Sequence, residues 1–282
     1  MRELILKEIN VYEYWGVACE PGAAGRLTCL CNSTPPTVST TRKRPAVLIL
    51  PGGGYAHTSA RESEPIALQF VAKGYAAFVL HYSVAPFSFP TSLREAAMAM
   101  RYIRENAAEY EVEPNMVAAI GFSAGGHLCG TLGTMYDCPE IADVGTAEQI
   151  RPDALGLCYP VAVSWGRTNT SSFVNVSKGD PGLIERLSLD KLVRKDMPPV
   201  FLWHTRTDGA VPCRNSLVLA TALEDEGVSF ALHVYAHGPH GLSTSNALAY
   251  PADKVPSVSW DVPGWLDAMV LYFSELGFKI YD

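Results

Sequence analysis

One stretch constrains this chain more than any other: Ala118-Ala119-Ile120-Gly121-Phe122-Ser123-Ala124-Gly125-Gly126-His127-Leu128. A short apolar run ends at Gly-x-Ser-x-Gly, and small residues then lead toward a helix, the strand, sharp turn and helix order of a nucleophile elbow. A turn of that kind lifts one serine hydroxyl clear of a sheet. Gly121 and Gly125 suit it because a strained turn leaves no room for Cβ atoms beside the serine. A glycine-rich strand-helix junction without chemistry has the same local pattern, so the reading turns on whether partners for Ser123 follow in the right order.

The chain around the elbow alternates strand and helix. Pro45-Ala46-Val47-Leu48-Ile49-Leu50 is a continuous apolar run, as expected of a strand covered on both faces, and it leads into Pro51-Gly52-Gly53-Gly54-Tyr55. Residues 64–73 read as a helix with Pro65 in its first turn and Gly74 beyond its end. Residues 75–82 form the next strand. Residues 91–109 form a helix capped by Thr91 or Ser92, with Glu95 in its first turn and Met98, Tyr102 and Ile103 facing the core. Residues 116–120 are the strand feeding the elbow, and 154–161, 200–205 and 230–235 are later strands. This rhythm predicts an α/β fold, a mostly parallel central sheet with right-handed crossovers and helices on both faces.

Three regions depart from the rhythm. Residues 2–31 read as one or two early strands, and 32–44 as a solvated Pro/Ser/Thr-rich loop ending in three bases. The stretch from Ser164 to about Asp180 is too long for a routine connection, and together with a helical segment at 183–195 it suggests a small cap or binding-side excursion over 164–196. At 282 residues, 48% hydrophobic and 18% charged, the chain suits one large domain over 1–282. A formal charge of -7 without a basic tract excludes nucleic acid as a partner.

Charges interrupt the apolar residues of Met1-Arg2-Glu3-Leu4-Ile5-Leu6-Lys7-Glu8, and no run is long enough for a membrane span, so a cytoplasmic protein is expected. Seven scattered cysteines suit reduced thiols, and Cys29-Leu30-Cys31 reads as strand packing. The segment 245–263, with Trp260 and several prolines, is a candidate interface for a homo-oligomer.

The glycine loop and the residues after the elbow supply candidate chemistry. A glycine-rich loop at the C-terminal end of a central strand can aim backbone N–H groups at a ligand. No Gly-Lys-Ser/Thr ending and no GxGxxG accompany it, which weighs against phosphate. A reactive serine needs a base, and the base an acid, and on a sheet of this kind they follow in the order Ser, Asp/Glu, His. Asp208 stands in a loop after the strand 200–205, although an aspartate there could instead shape the turn before Pro212. His237 and His240 both follow the strand 230–235. His240, between Pro239 and Gly241, is the better placed base, with His237 structural. His127 reads as a structural hydrogen-bonder, His204 as buried, and His57 as a residue lining the pocket.

With these residues in hand, the chain resembles the α/β-hydrolase esterases and lipases. It lies near the hormone-sensitive-lipase-like branch and is most similar to small acetyl esterases of the acetylxylan and feruloyl/acetylxylan type. The resemblance runs from about Pro45 to the end. It rests on Pro51-Gly52-Gly53-Gly54-Tyr55, on Ser59-Ala60-Arg61-Glu62 with Glu64-Pro65, and on Gly121 to Leu128. Trp203-His204-Thr205 with Asp208 and Val211-Pro212, and Gly238-Pro239-His240-Gly241-Leu242, complete it. It implies a Ser123, His240, Asp208 triad and an oxyanion hole from the amides of Gly53, Gly54 and Ala124, with no metal or organic cofactor. Pro51 stands where the lipase-like branch usually has histidine, so the loop's bracing must come from elsewhere, with Arg61 the candidate.

The expected reaction is removal of short acyl groups, acetyl above all. Tyr55, Tyr82, Phe122 and Trp165 near the sheet edge are expected to narrow the pocket, with Arg61 beside them, and aromatic faces suit sugar rings. Acetylated oligosaccharides are the substrates that the resemblance implies. Kynurenine formamidase and related amidases share the motifs and supply an alternative reaction. A hydrolase-like binding protein without catalysis is the alternative outside enzymes, disfavoured because no triad member is missing.

Overall fold

Continuous apolar runs become the strands of one eight-stranded sheet in the computed structural model, which describes residues 4–282; residues 1–3, the head of the N-terminal stretch read above, lie outside the described residues. The strands are β1 (Leu4–Asn10), β2 (Arg26–Asn32), β3 (Arg44–Leu50), β4 (Ala76–His81), β5 (Val112–Phe122), β6 (Ala154–Cys158), β7 (Val200–Thr205) and β8 (Phe230–Tyr235). Their order is β1-β2-β4-β3-β5-β6-β7-β8. β1 and β2 pair antiparallel, β2 joins β4 antiparallel, and every later pairing is parallel.

The pleat divides each buried strand between two cores. In β3, Leu48 and Leu50 belong to one cluster and Val47 and Ile49 to the other. The first cluster packs under the helices Thr91–Glu105, Ala124–Thr134 and Arg214–Asp225, through residues such as Met100, Leu128 and Leu219. The second packs under Glu64–Ala72 and Trp265–Glu275, through Phe70, Trp265 and Met269. Helices on both faces leave the C-terminal ends of the parallel strands open, which is where loops can gather side chains into a site. Cys29 and Cys31 point into the first cluster as packing residues.

Several local expectations are corrected by tertiary contacts. The loop 32–44 ends in a buried residue, because Arg44 lies in β3 and pairs with Glu111. The helix expected over 91–109 stops at Glu105, and Pro90 precedes it without a side-chain cap. Glu95, expected in the first turn, lies beyond it. It is fully buried and accepts hydrogen bonds from the Ser83 N–H and from the Tyr12 hydroxyl at 2.9 Å. Burial pushes the Glu95 carboxyl upward, and these bonds oppose the shift.

Between β6 and β7 the chain makes the long excursion, built of three short helices, Thr170–Ser177, Pro181–Arg186 and Leu189–Leu192. Phe173, Val176, Leu187 and Leu189 anchor it in the first core. Asn215, fully buried, accepts hydrogen bonds from the N–H groups of Ala162 and Val163 at 3.0 and 3.1 Å and holds its start. The segment 245–263 contains only three-residue turns, and Trp260 stands 92% exposed there. Among the described residues no helix is long and apolar enough to cross a membrane.

Candidate active site

The elbow forms where β5 ends. Ser123 has φ 55° and ψ −118°, a backbone conformation costly for a residue with a Cβ. The end of β6 and the loop after it hold it there: its N–H donates to the Cys158 carbonyl at 3.0 Å, and its carbonyl accepts from the Val161 N–H at 3.0 Å. The glycines are required by contact. A Cβ on Gly121 would lie 2.1 Å from the Gly125 oxygen, and one on Gly125 would lie 2.1 Å from the Leu50 oxygen.

The ends of β7 and β8 deliver the partners. The Ser123 hydroxyl lies 2.8 Å from His240 Nε2, and His240 Nδ1 lies 2.6 Å from Asp208 Oδ2. A carboxylate only accepts, so Nδ1 carries the ring proton and Nε2 is left to accept from the serine. Asp208 is held by more than His240. Its Oδ1 accepts from the N–H groups of Ala210 and Val211, both at 2.9 Å, and His204 Nε2 lies 3.3 Å from Oδ2. Burial pushes the Asp208 carboxyl upward, but hydrogen bonds from His204 and His240 outweigh it and hold the group well below the usual carboxylate range.

His237, the competing histidine, is exposed and turns to Thr207 and Ser259. His127 is buried, with Nε2 donating to the Leu187 carbonyl and Nδ1 accepting from the Tyr55 hydroxyl, each at 2.8 Å. Burial lowers its pKa to about 4, so the ring stays neutral.

A cavity of about 260 Å³ opens above Ser123 and His240. Gly53, Gly54, His57 and Arg61 line one side, and Asn169 and Ser172 of the excursion line the other. Among the described residues neither Gly53 nor Gly54 donates its N–H to a protein acceptor. Ala124, buried beside the serine, begins a helix, where the first N–H has no intrahelical partner. A Cβ on Gly53 would meet the His57 oxygen at 2.1 Å, so only glycine fits that turn of the loop.

Four expected pocket residues are elsewhere. Tyr55 is buried with its hydroxyl on His127, and Tyr82 is buried with its hydroxyl donating to the Pro51 carbonyl at 2.6 Å. Phe122 is fully buried against Tyr159 and Trp265, because the pleat turns it into the second core while Ser123 turns out. Trp165 is partly exposed, its indole N–H on Asp190 at 2.8 Å and Arg214 over its ring. The cavity is lined instead by glycines and polar side chains. Arg61 does line it, but the bracing assigned to Arg61 belongs to Glu62.

Glu62 is the residue that sequence reasoning missed. It is buried, accepts the Gly52 N–H at 2.8 Å and accepts the Tyr159 hydroxyl at 2.7 Å. Tyr159 accepts in turn from the Ser243 N–H at 2.9 Å and sets its ring edge-on to His240 at 5.2 Å. One carboxylate thus ties the glycine loop to the histidine loop. Its place beside Arg61 in the Ser59–Glu62 motif was the only local signal.

A family model described as BD-FAE matches residues 35–155. The chain is similar to endo-1,4-beta-xylanase B of Butyrivibrio fibrisolvens, 37% identical over 72% of this chain and 33% of that protein. It is also similar to an acetylxylan esterase of Xylanibacter ruminicola, 29% identical over 79% of this chain and 45% of that protein. The chain therefore spans from a third to just under half of the length of these curated relatives. Among solved structures it is similar to an acetyl ester-xyloside bifunctional hydrolase from Caldicellulosiruptor lactoaceticus, with TM-score 0.82 and 32% identity, covering 96% of this chain and 97% of that one.

Proposed function

The chain belongs to the α/β-hydrolase esterases, and we propose that it removes short acyl groups, acetyl above all, from acetylated oligosaccharides through an acyl-enzyme on Ser123. One observation carries the reading: the Ser123 hydroxyl at 2.8 Å from His240 Nε2, with His240 held by Asp208 at 2.6 Å. His240 takes the serine proton as the oxygen attacks the ester carbonyl, and Asp208 stabilises the imidazolium that forms. The amides of Gly53, Gly54 and Ala124 receive the oxyanion. His240 then gives the proton to the departing sugar oxygen, which leaves as a hydroxyl, and water repeats the cycle on the acyl-serine.

Acyl length follows from the cavity. At about 260 Å³, lined by Gly, Ser, Asn, His, Arg and Glu residues, it offers a long acyl chain no aliphatic wall. Such a chain would forgo roughly 0.8 kcal/mol for every CH₂ left unburied. Acetyl forgoes almost nothing. The names of the similar proteins, an acetylxylan esterase and an acetyl ester-xyloside hydrolase, favour a xylo-oligosaccharide as the alcohol. The reading takes one domain over 1–282 with 164–196 as its cap, working in the cytoplasm where its seven unpaired thiols stay reduced.

The test is Ser123→Ala on 4-nitrophenyl acetate, with loss of kcat on the order of 10⁴–10⁶ expected and the thermal transition kept. Retained turnover would remove the nucleophile. A panel of longer nitrophenyl esters and N-formylkynurenine completes it: preference for octanoyl esters would overturn the short-acyl reading, and efficient deformylation would overturn the ester.

A further inference from the structure

Beyond the Asp208 loop lies a second and larger cavity, about 580 Å³, within the range of roughly 300–1,000 Å³ usual for ligand sites. Arg167, Arg206 and Arg214 line it, with Pro212, Leu217 and Val234. Most arginines of this chain are paired with carboxylates, among them Arg44, Arg94, Arg101 and Arg194. Among the described residues Arg167, Arg206 and Arg214 make no such pair. Three guanidinium groups without an ion-pair partner, against the single carboxylate of Asp208, line one cavity in a chain of net charge -7.

Nearby carboxylates are already engaged. Asp208 lines the same cavity, but its side chain is 1% exposed and its oxygens receive hydrogen bonds from Ala210, Val211, His240 and His204. Asp190 accepts from Trp165 and from Ser188. Arg214 is steadied without being neutralised, its guanidinium 5.0 Å from the centre of the Trp165 ring. The positive charge is therefore available to a ligand.

This cavity adjoins the one above Ser123. Arg167 faces the arginine cavity, while Asn169 and Ser172 of the same segment line the cavity of the reacting groups. Asn169 Nδ2 donates to the Ala210 carbonyl at 3.3 Å, joining the excursion to the Asp208 loop between them. A ligand that holds an ester at Ser123 and extends past Asn169 reaches the guanidinium groups. Leu217 and Val234, partly exposed, add an apolar floor of the sort that the C–H face of a sugar ring covers.

We propose that the arginine cavity is a subsite for an acidic sugar: it binds the carboxylate of a uronic acid carried by the acetylated oligosaccharide while the ester sits at Ser123. The inference rests on the esterase reading above. Guanidinium forks match a planar carboxylate with two parallel hydrogen bonds, and the apolar floor favours a ring-borne carboxylate over free phosphate.

The experiment has two arms. In the first, the Ser123→Ala protein is titrated calorimetrically at low ionic strength with a glucuronic-acid-substituted xylo-oligosaccharide, its neutral counterpart, and inorganic phosphate. The acidic sugar is expected to bind about tenfold tighter or better than the neutral one, and Arg167→Gln with Arg206→Gln should erase the difference. Equal affinity for both sugars, or phosphate displacing the acidic sugar at comparable affinity, would overturn the proposal. In the second arm, the arginine variants are expected to hydrolyse 4-nitrophenyl acetate like wild type while kcat/KM on the acetylated acidic oligosaccharide falls about tenfold. Equal losses on both substrates would overturn the subsite. A wild-type protein inert on nitrophenyl acetate would sink the esterase reading, and the binding arm would still decide the cavity.

Discussion

Replacing Tyr159 by phenylalanine removes one oxygen atom from the centre of the brace between the two loops of the site. That oxygen donates to Glu62 at 2.7 Å and accepts the Ser243 N–H at 2.9 Å, all three residues being buried. Losing the bond to a carboxylate costs about 1.5–3 kcal/mol, and the buried N–H left without an acceptor adds about 1–3 kcal/mol. Phenylalanine keeps the ring packing on Phe122, Trp203 and His240, so no cavity cost offsets or inflates the figure. We expect a loss of about 3 kcal/mol, or a Tm lower by roughly 6 °C at about 2 °C per kcal/mol for a chain this size. Because Gly52 leads into Gly53 and Ser243 follows His240, both loops should shift slightly, and a displacement on the order of 1 Å costs about a hundredfold in rate. Thermal denaturation followed by circular dichroism, with kcat on 4-nitrophenyl acetate, reads both effects. In a cycle with Glu62→Gln the two changes should be non-additive, since they break one network. Unchanged kcat and unchanged Tm in Tyr159→Phe would refute the brace.

Gly125→Ala should cost far more than an ordinary glycine substitution, because its Cβ would lie 2.1 Å from the Leu50 oxygen and 2.4 Å from the Pro51 oxygen, both backbone. Activity is expected to collapse with a stability loss beyond the roughly 1–3 kcal/mol of common overpacking, while Gly264→Ala, with open space around it, should behave as wild type. His127, held near pKa 4 by burial, makes stability depend on pH. Its unfolded value is near 6.5, so the unfolded chain takes the proton first: stability is complete above about pH 6.5 and falls by roughly 3 kcal/mol as the pH drops toward 4. Denaturant titrations across that range should show a flatter slope for His127→Gln, and an identical slope would contradict the assignment.

Much of this protein is decided locally and is therefore legible in order along the chain. Gly121, Ser123 and Gly125 must stand together because a turn that lifts a hydroxyl from a strand end excludes neighbouring Cβ atoms. Asp208 and His240 are legible because each follows an apolar run, and parallel strands set their C-terminal ends side by side. What the sequence could not decide is what depends on contacts far apart in the chain or on pleat parity. Tyr82 and Phe122 look like pocket aromatics because they end strands, but their rings are folded into the cores. Glu62 becomes the brace of the glycine loop only because Tyr159, 97 residues away, reaches its carboxylate. Arg167, Arg206 and Arg214 carry no motif in the sequence, and only the excursion after β6 and the loop after β7 bring them around one cavity. The sequence alone determined which residues are candidates for the chemistry and the order in which they follow one another. The tertiary structure decided what braces them and which charges line the neighbouring cavity, because those depend on distances that no spacing along a chain encodes.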